Sequence, residues 1–361
     1  MTAEHAACDD CLRRTDLIGA LAGWLDVEWR RREAPGRVLS LPDEALLSAS
    51  ADVSVHRRYE AFEPEAARAL ARDRGLLAIC RCDGDYPERL RDLPDPPAVI
   101  HVAGGRDCLA VEDAVAIVGA RRATEYGLTV ARDLGRSLSS AGVGVVSGLA
   151  LGVDSAAHAG ALEGRAAPVG VLAGGADRPY PASKHRLYAA VRAAGAVVSE
   201  MPPGFGIHRW AFVARNRLIA ALSRVVVVVE ATERSGSLTT ADLGAELGRT
   251  VAAVPGRITC RLAAGTNGLL RDGAVVVRGP ADVLDELADL TGARYEVAPA
   301  AVARLDPGLH RLLDAIGEGH STLPMLVGEG MHPRAVLAGL GELETRGLVR
   351  RGFGGRYERA M

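Results

Sequence analysis

Cationic and hydroxyl residues recur directly after successive apolar segments of this sequence, in loops that are also rich in glycine. The cations and one amide in these loops are Arg121, Arg122, Lys184, Arg215, Asn216 and Arg217. Glycine lets a backbone approach a ligand closely, and free amides at helix starts attract anions. Because gathered like charges are unfavourable until an anion neutralises them, the pattern predicts a site for phosphate groups.

The apolar segments that precede these loops are predicted to be strands of one sheet. They are residues 114–118, 143–147, 169–172, 196–199, 225–229 and 250–254. The run of valines at 225–229 has no polar alternation, which is typical of a strand buried on both faces. Alternation with helical segments predicts a Rossmann-like, doubly wound, mainly parallel α/β sheet. Ligands of such sheets bind at the carboxyl ends of the strands, so the cationic loops are expected to share one edge.

Four regions are predicted along the chain. Residues 1–75 form an N-terminal helical domain of the SAM or helix-hairpin-helix kind, 76–288 the extended Rossmann-like domain, 289–304 a linker, and 305–361 three helices and a glycine-turned hairpin in the order of a winged helix.

No apolar stretch approaches the roughly 20 residues of a membrane span, and no signal core is present, so a cytoplasmic location is expected. A net charge of −2 excludes a uniformly basic surface but permits a local basic patch.

Standard nucleotide and hydrolase motifs are missing from these loops. The first strand is followed by one glycine rather than G-x-G-x-x-G, no Walker sequence surrounds Lys184, and no G-x-S-x-G surrounds Ser147. Asp154 and His158 are interpreted as a helix cap and a packed histidine rather than as a metal pair. An alternative interpretation of Arg217 makes it an internal ion-pair partner, together with Asp154.

The cysteines allow one metal hypothesis. Cys8 and Cys11 have C-x-x-C spacing, and Cys80 with Cys82 could complete four thiolates. The second half is C-x-C, which departs from the usual zinc pattern, so reduced structural thiols and no metal are expected.

A set of long blocks follows in order along the α/β region: AIVGARRATEYG, SGLALGVDSAAHAGAL, GGADRPYP, SEMPPG, FVARNRLIAALS, VVVVVEATERSGSLTTADLGAELGRTVAAVPG and GTNGLLRDGA. The segment YPERLRDLPDPPAVIHVAG precedes them, and together they run from Tyr86 to Ala274, about half of the chain. These blocks resemble the DprA (Smf) family of bacterial DNA-processing proteins of natural transformation, and the upstream segment is similar to the one by which that family enters its fold.

The resemblance implies a non-enzymatic protein without a cofactor. It implies binding of single-stranded DNA without sequence choice, a homodimer, and loading of RecA onto strands coated with single-strand-binding protein. The implied DNA-binding residues are Gly119, Arg121, Arg122, Ser147, Gly148, Lys184, Arg186, Arg215, Asn216, Arg217, Ser235 and Gly236.

Two of the family's contact elements are altered in this chain. Ala120 stands where the family's G-[ST]-R element has a hydroxyl, so Arg121 is expected to carry more of the phosphate contact. Lys184 stands where many members have asparagine, and any of Lys184, His185 and Arg186 could make the contact there. Lys184 is also the single lysine among 43 lysine and arginine residues.

Two other functions fit the sequence less well than DNA binding. A nucleotide phosphoribohydrolase of the lysine-decarboxylase-like group would need P-G-G-x-G-T and a following glutamate, whereas the corresponding loop reads ERSGSLTT. A winged-helix regulator would need sequence-specific duplex binding. Arginines at 334, 346, 350, 351 and 356 in the C-terminal region are equally compatible with DNA and with protein contacts.

Overall fold

The structure is a computed structural model that describes residues 7–30, 38–109, 112–295, 306–328, 331–345, 348–352 and 355–359. Internal contacts divide the chain into two compact units, Met1–Glu296 and Val297–Met361. None of the described helices combines the length and apolar character needed to cross a bilayer. Residues 296–305 of the predicted linker lie outside the described residues.

In the part of the chain that the structure describes, the first unit begins with helices and continues as alternating strands and helices. The helices are α1 (Asp9–Ala20), α2 (Ala22–Arg30), α3 (Asp43–Ser50), α4 (Val53–Glu60), α5 (Pro64–Asp73), α6 (Glu125–Ser140), α7 (Val153–Ala161), α8 (His185–Ala194), α9 (Arg209–Ala221), α10 (Gly236–Glu246), α11 (Ala264–Arg271) and α12 (Pro280–Thr291). The strands are β1 (Leu77–Cys80), β2 (Val99–Gly104), β3 (Ala114–Val118), β4 (Gly144–Ser147), β5 (Val169–Val171), β6 (Ala196–Ser199), β7 (Val225–Val228), β8 (Thr250–Ala253) and β9 (Val275–Val276).

Within the described residues these nine strands form one sheet in the order β1-β2-β6-β5-β4-β3-β7-β8-β9. The seven strands from β6 to β9 are parallel, while β2 is antiparallel to both β6 and β1. The predicted doubly wound, mainly parallel sheet is confirmed, and the predicted strand positions agree to within a residue. The antiparallel strand β2 was not predicted, because its sequence lies in a proline-rich extension.

Two apolar clusters cover the opposite faces of the sheet. Alternate residues of β7 divide between them: Val226 and Val228 enter one cluster, and Val225 and Val227 enter the other. All four valines are fully buried, as the unbroken apolar run predicts.

The N-terminal helices pack against the first turns of α9. Leu17, Leu21 and Leu25 share a buried cluster with Trp210, and the indole Nε1 of Trp210 donates a hydrogen bond to the Ala22 carbonyl at 3.2 Å. These helices share a hydrophobic core with the α/β region. The prediction of a separate helical domain that ends at residue 75 stays a prediction.

The second unit contains α13 (Pro307–Gly317), α14 (Leu323–Gly328), α15 (Pro333–Thr345) and a hairpin of β10 (Val349–Arg351) and β11 (Tyr357–Arg359). One buried apolar cluster joins these helices and contains Leu309, Leu312, Val336 and Leu340. Phe353 and Gly354 of the predicted glycine turn, and Arg346, lie outside the described residues. The winged-helix assignment stays a prediction.

Candidate nucleic-acid interface

The strand order reverses between β3 and β7, and this is where a ligand cleft is expected. From β3 the chain winds outward through β4, β5 and β6, then returns to add β7 on the other side of β3. The loops after β3, β4 and β7 are joined by backbone hydrogen bonds: Ala120 N donates to Glu230 O at 2.7 Å, and Val153 N donates to Ala120 O at 3.2 Å. The three loops therefore lie together at the carboxyl ends of these strands.

A cleft of about 270 Å³ opens at this edge. Its predicted members are Gly119, Arg121, Arg215, Asn216, Ser235 and Gly236. A smaller cavity of about 50 Å³ is lined by Gly148, Tyr180 and Pro181, and it shares Arg121, Arg215 and Phe212 with the larger one. The structure thus brings together residues from loops after four strands, as the sheet-edge argument predicts.

Two glycines make the close packing of the cleft possible. A Cβ atom at Gly119 would lie 2.7 Å from Val153 Cγ2 and 3.0 Å from the Glu230 carbonyl oxygen. A Cβ atom at Gly148 would lie 1.4 Å from Arg215 Nη1. Any side chain at either position would displace the neighbouring loop or the Arg215 guanidinium.

Glu230 fixes the loop that carries Arg121, and sequence reasoning missed this role. Its buried carboxylate accepts hydrogen bonds from Thr124 N at 2.8 Å and from Thr124 Oγ1 at 2.5 Å. Thr124 in turn caps α6 by accepting from Gly127 N at 3.1 Å. An acid directly after the valine run was the available signal, because a charge at the end of a buried strand needs a partner.

Arg215 is a buried cation at the base of the cleft. Its Nη1 donates to the Val171 carbonyl at 3.2 Å, and its Nε has no hydrogen-bond partner among the described residues. Burial lowers the pKa of Arg215 to about 10, and the nearby carboxylate of Asp154 opposes that shift. Arg215 therefore stays charged at neutral pH and contributes positive potential to the cleft.

Asp154 does not cap α7, which corrects the sequence interpretation. The helix begins after Gly152, and the Asp154 carboxylate instead accepts from Gly148 N at 3.1 Å and Ala150 N at 3.4 Å. Burial raises the pKa of Asp154, and Arg215 counteracts this effect. Asp154 thus orders the loop after β4 beside Arg215.

Arg217 is not available to a ligand, so its prediction as a DNA contact is wrong in this structure. The side chain is 6% exposed, and its Nε lies 2.9 Å from Asp95 Oδ2. Its two terminal nitrogens donate to the Glu200 carboxylate at 2.9 and 2.7 Å. Although burial alone would lower the pKa of Arg217, the charges of Glu200 and Asp95 raise it above its usual value. The alternative of an internal partner holds, with Asp95 and Glu200 rather than Asp154.

Ser147 is also withdrawn from the predicted contacts. It is fully buried, and its hydroxyl donates to the Ile117 carbonyl at 2.6 Å, across two strands of the sheet. Ser235, in contrast, lies at the cleft and caps α10 by accepting from Ser237 N at 3.3 Å. The start of this 11-residue helix therefore faces the cleft, where its amides favour an anion.

Four of the predicted cations remain exposed or half-exposed without an ion-pair partner in the described part of the chain. They are Arg121, Arg122, Lys184 and Arg186. Arg121 lines both cavities, whereas Lys184 and Arg186 line neither of them. Lys184 comes three residues after Pro181 of the smaller cavity, and Arg186 lies in the first turn of α8. We refer to Arg121, Arg122, Lys184 and Arg186 as the basic rim.

Two aromatic side chains stand next to this rim and were not predicted. The guanidinium carbon of Arg121 lies 4.8 Å from the centre of the Phe212 ring, and the Phe212 and Tyr180 rings are 5.7 Å apart. Tyr180 is 42% exposed. A cation and exposed ring surface side by side suit a nucleic-acid strand, because bases stack on rings while phosphates pair with cations.

His158 and His101 are buried, and their burial should make the protein less stable at acidic pH. Burial lowers the pKa of each from 6.5 to about 4. The folded state keeps both neutral, whereas an unfolded chain takes up protons below pH 6.5, so stability is complete above that pH and falls toward pH 4. Between pH 7.5 and pH 5 the free energy of unfolding should fall in the native chain, and in His158→Asn it should fall by about 2 kcal/mol less. Urea unfolding at the two pH values measures the difference. His185→Asn, at an exposed site, is the control, and equal losses in all three proteins would contradict the assignment.

The sheet makes this protein one of the Rossmann-like α/β domains, with a cleft at the topological switch point. The sequence model of a family described as DNA recombination-mediator protein A matches residues 77–288. The chain belongs to the DNA recombination-mediator protein A family.

Relatives and solved structures support this assignment. The chain is 43% identical over 242 residues to a putative DNA processing protein DprA of Mycobacterium tuberculosis (strain ATCC 25618 / H37Rv), covering 65% of this chain and 62% of that relative. It is 34% identical to the DNA processing protein DprA of Bacillus subtilis (strain 168), covering 69% of this chain and 86% of that relative.

Two solved structures are similar in fold as well as in sequence. DNA processing protein A of Streptococcus pneumoniae has a TM-score of 0.62 and 31% identity, covering 77% of this chain and 96% of that one. DNA processing protein A of Helicobacter pylori has a TM-score of 0.53 and 32% identity, covering 56% of this chain and 93% of that one. The Helicobacter pylori structure is described as giving insight into that protein's single-stranded DNA binding mode.

Proposed function

We propose that this protein binds single-stranded DNA without sequence choice, at the cleft between the ends of β3 and β7. The observation that carries the proposal is the position of Arg121, which lines both cavities, stacks on Phe212 and has no ion-pair partner among the described residues. The single-stranded DNA binding of the Helicobacter pylori relative supports this ligand.

The proposed strand would contact two kinds of surface. Its phosphates would pair with Arg121 and with the amides at the start of α10, while Lys184 and Arg186 would extend the contact along the rim. Arg122 lies on the same loop as Arg121 and would add to the local potential. Phosphate contacts carry no sequence information, and rings accept any base, so binding without sequence choice follows.

Tyr180 provides a test of base stacking that is independent of charge. We expect Tyr180→Ala to weaken oligothymidine binding by roughly 5- to 150-fold, since a base–aromatic stack contributes about 1–3 kcal/mol. The dependence of affinity on salt should stay unchanged, because no phosphate contact is removed. Fluorescence anisotropy measures both quantities.

Tyr180→Phe is the matched control, since it keeps the ring and removes only the hydroxyl. Its affinity is expected to equal that of the native chain. Equal losses in Tyr180→Phe and Tyr180→Ala would instead assign the effect to the hydroxyl group and remove the stacking interpretation.

We further propose that the protein is a cytoplasmic homodimer that loads RecA onto single strands coated with single-strand-binding protein. This part rests on family membership, whose description names a recombination mediator. The test follows labelled RecA binding to a coated strand with and without the protein. Faster binding with the native chain, and less acceleration with Arg121→Ala, are the expected results.

The same preparation distinguishes this proposal from a nucleotide phosphoribohydrolase. Incubation with nucleoside monophosphates should leave the nucleotides intact. Release of free base, together with no effect on RecA, would overturn the proposed function and favour hydrolysis.

A further inference from the structure

Four cysteines from distant parts of the sequence meet at one point of the first unit, outside the DNA cleft. The sulphur atoms of Cys8, Cys11, Cys80 and Cys82 all lie within 4.8 Å of one another. We refer to these four residues as the cysteine cluster. The pairs are separated by about 70 residues in the chain, and the fold alone brings them together.

Each pair is held by a regular element. Cys8 is the residue before α1 and Cys11 lies in its first turn, while Cys80 ends β1 and Cys82 lies in the turn that follows. The guanidinium of Arg91 fixes that turn by donating to the carbonyl oxygens of Arg81 at 2.7 Å and Asp83 at 2.9 Å. The C-x-C spacing therefore suits the site, because a tight turn aims both sulphurs at α1.

The sulphur distances fit a shared tetrahedral ion and not a disulfide. Cys11 Sγ and Cys82 Sγ are 3.8 Å apart. Four sulphurs bound at about 2.3 Å to one Zn²⁺ would be separated by about 3.8 Å, whereas a disulfide needs about 2.05 Å. All four cysteines are free thiols in the structure.

The surroundings also suit a structural metal site. Cys11 and Cys80 are buried among Ala7, Leu12 and Val99, and Cys82 is exposed, which leaves a route for an ion. The backbone amide of Cys8 lies 3.5 Å from Cys80 Sγ, in position to donate to that sulphur. Such amide–sulphur bonds and the positive end of α1 stabilise negative thiolates.

We propose that the cysteine cluster binds one structural Zn²⁺ with four thiolate ligands. Binding would release the thiol protons and leave a site of net charge −2. Arg81, which stands between Cys80 and Cys82 in the sequence, lines the same cavity as Cys8, Cys11 and Cys82. The ion would connect α1 to the β1–β2 edge of the sheet and so fasten the N-terminal helices to the α/β region. The sequence disfavoured this site only through the unusual C-x-C spacing.

The test measures metal in the full chain purified without a metal-affinity step. We expect about one zinc per chain by inductively coupled plasma mass spectrometry, and loss of that zinc in Cys11→Ser/Cys82→Ser after a chelator challenge that the native chain resists. Cys108→Ser and Cys260→Ser are matched controls, since both thiols are half-buried and lie outside the cluster. Both controls should keep the zinc.

A second measurement does not depend on the folding of a variant. The native chain, reduced and stripped of metal, should bind Co²⁺ with the visible absorption of tetrahedral cobalt thiolate, and Zn²⁺ should displace the Co²⁺. Chelation should lower the thermal unfolding midpoint of the native chain and leave that of Cys11→Ser/Cys82→Ser unchanged. A reduced chain that binds neither ion, or controls that lose zinc as readily as the double variant, would overturn the proposal.

Discussion

Arg121→Ala is expected to weaken binding to single-stranded DNA by roughly 10- to 100-fold, as removal of a charged hydrogen-bonding partner typically does. Arg121 has the largest expected effect because it lines both cavities and its guanidinium is held against Phe212. The slope of log affinity against log salt should also become shallower by about 0.7, the value for one phosphate contact on a single strand. Titrations of oligothymidine at several salt concentrations measure both.

Lys184→Ala should also weaken binding to single-stranded DNA, but by a smaller factor, because Lys184 does not line either cavity. Arg271→Ala is the matched control for both variants. Arg271 is exposed, and among the described residues its ion-pair partner is its neighbour Asp272. It ends the helix that leads into the amino end of the parallel strand β9, away from the carboxyl ends of the strands where the cleft lies. Unchanged affinity in Arg121→Ala, or an equal loss in Arg271→Ala, would contradict the proposed interface.

Arg217→Met is expected to lower the free energy of unfolding by about 3–5 kcal/mol, because it leaves the buried carboxylates of Asp95 and Glu200 without their cation. Urea unfolding at neutral pH measures the change. Adding Asp95→Asn and Glu200→Gln to Arg217→Met should recover part of the lost stability, since the unpaired charges are then removed.

The Arg217 experiment also separates the two interpretations of this residue. If Arg217 only holds the fold together, conditions that keep Arg217→Met folded should restore DNA binding close to that of the native chain. A variant as stable as the native chain that binds DNA poorly would return Arg217 to the set of contacts.

Most of the sheet could be predicted because its parallel strands are short runs of mainly apolar residues that alternate with helical segments. The valines of β7 and the loop at Gly119 have a single reasonable interpretation in a parallel sheet. Because ligands of parallel sheets bind at the carboxyl ends of the strands, the topology also predicted that Arg121, Arg215 and Ser235 lie close together there. The strand β2 escaped prediction because the preceding prolines suggested an irregular segment.

The site was less predictable where a side chain's partner lies far away in the sequence. Arg215 and Arg217 are two residues apart, about 200° around α9, so one faces the cleft and the other faces inward. The partner of Arg217, Asp95, is 122 residues distant. The cysteine cluster was hard to predict for the same reason, because the fold brings the start of α1 and the end of β1 together across about 70 residues of sequence.

A salt series on the native chain tests most directly whether the protein prefers a single strand and holds it through its phosphates. Anisotropy of labelled oligothymidine and of a labelled duplex of equal length is followed as salt increases. We predict tighter binding of the single strand throughout, with log affinity falling by about 0.7 per phosphate neutralised for each log unit of salt. Duplex binding of equal strength, or single-strand binding insensitive to salt, would contradict it.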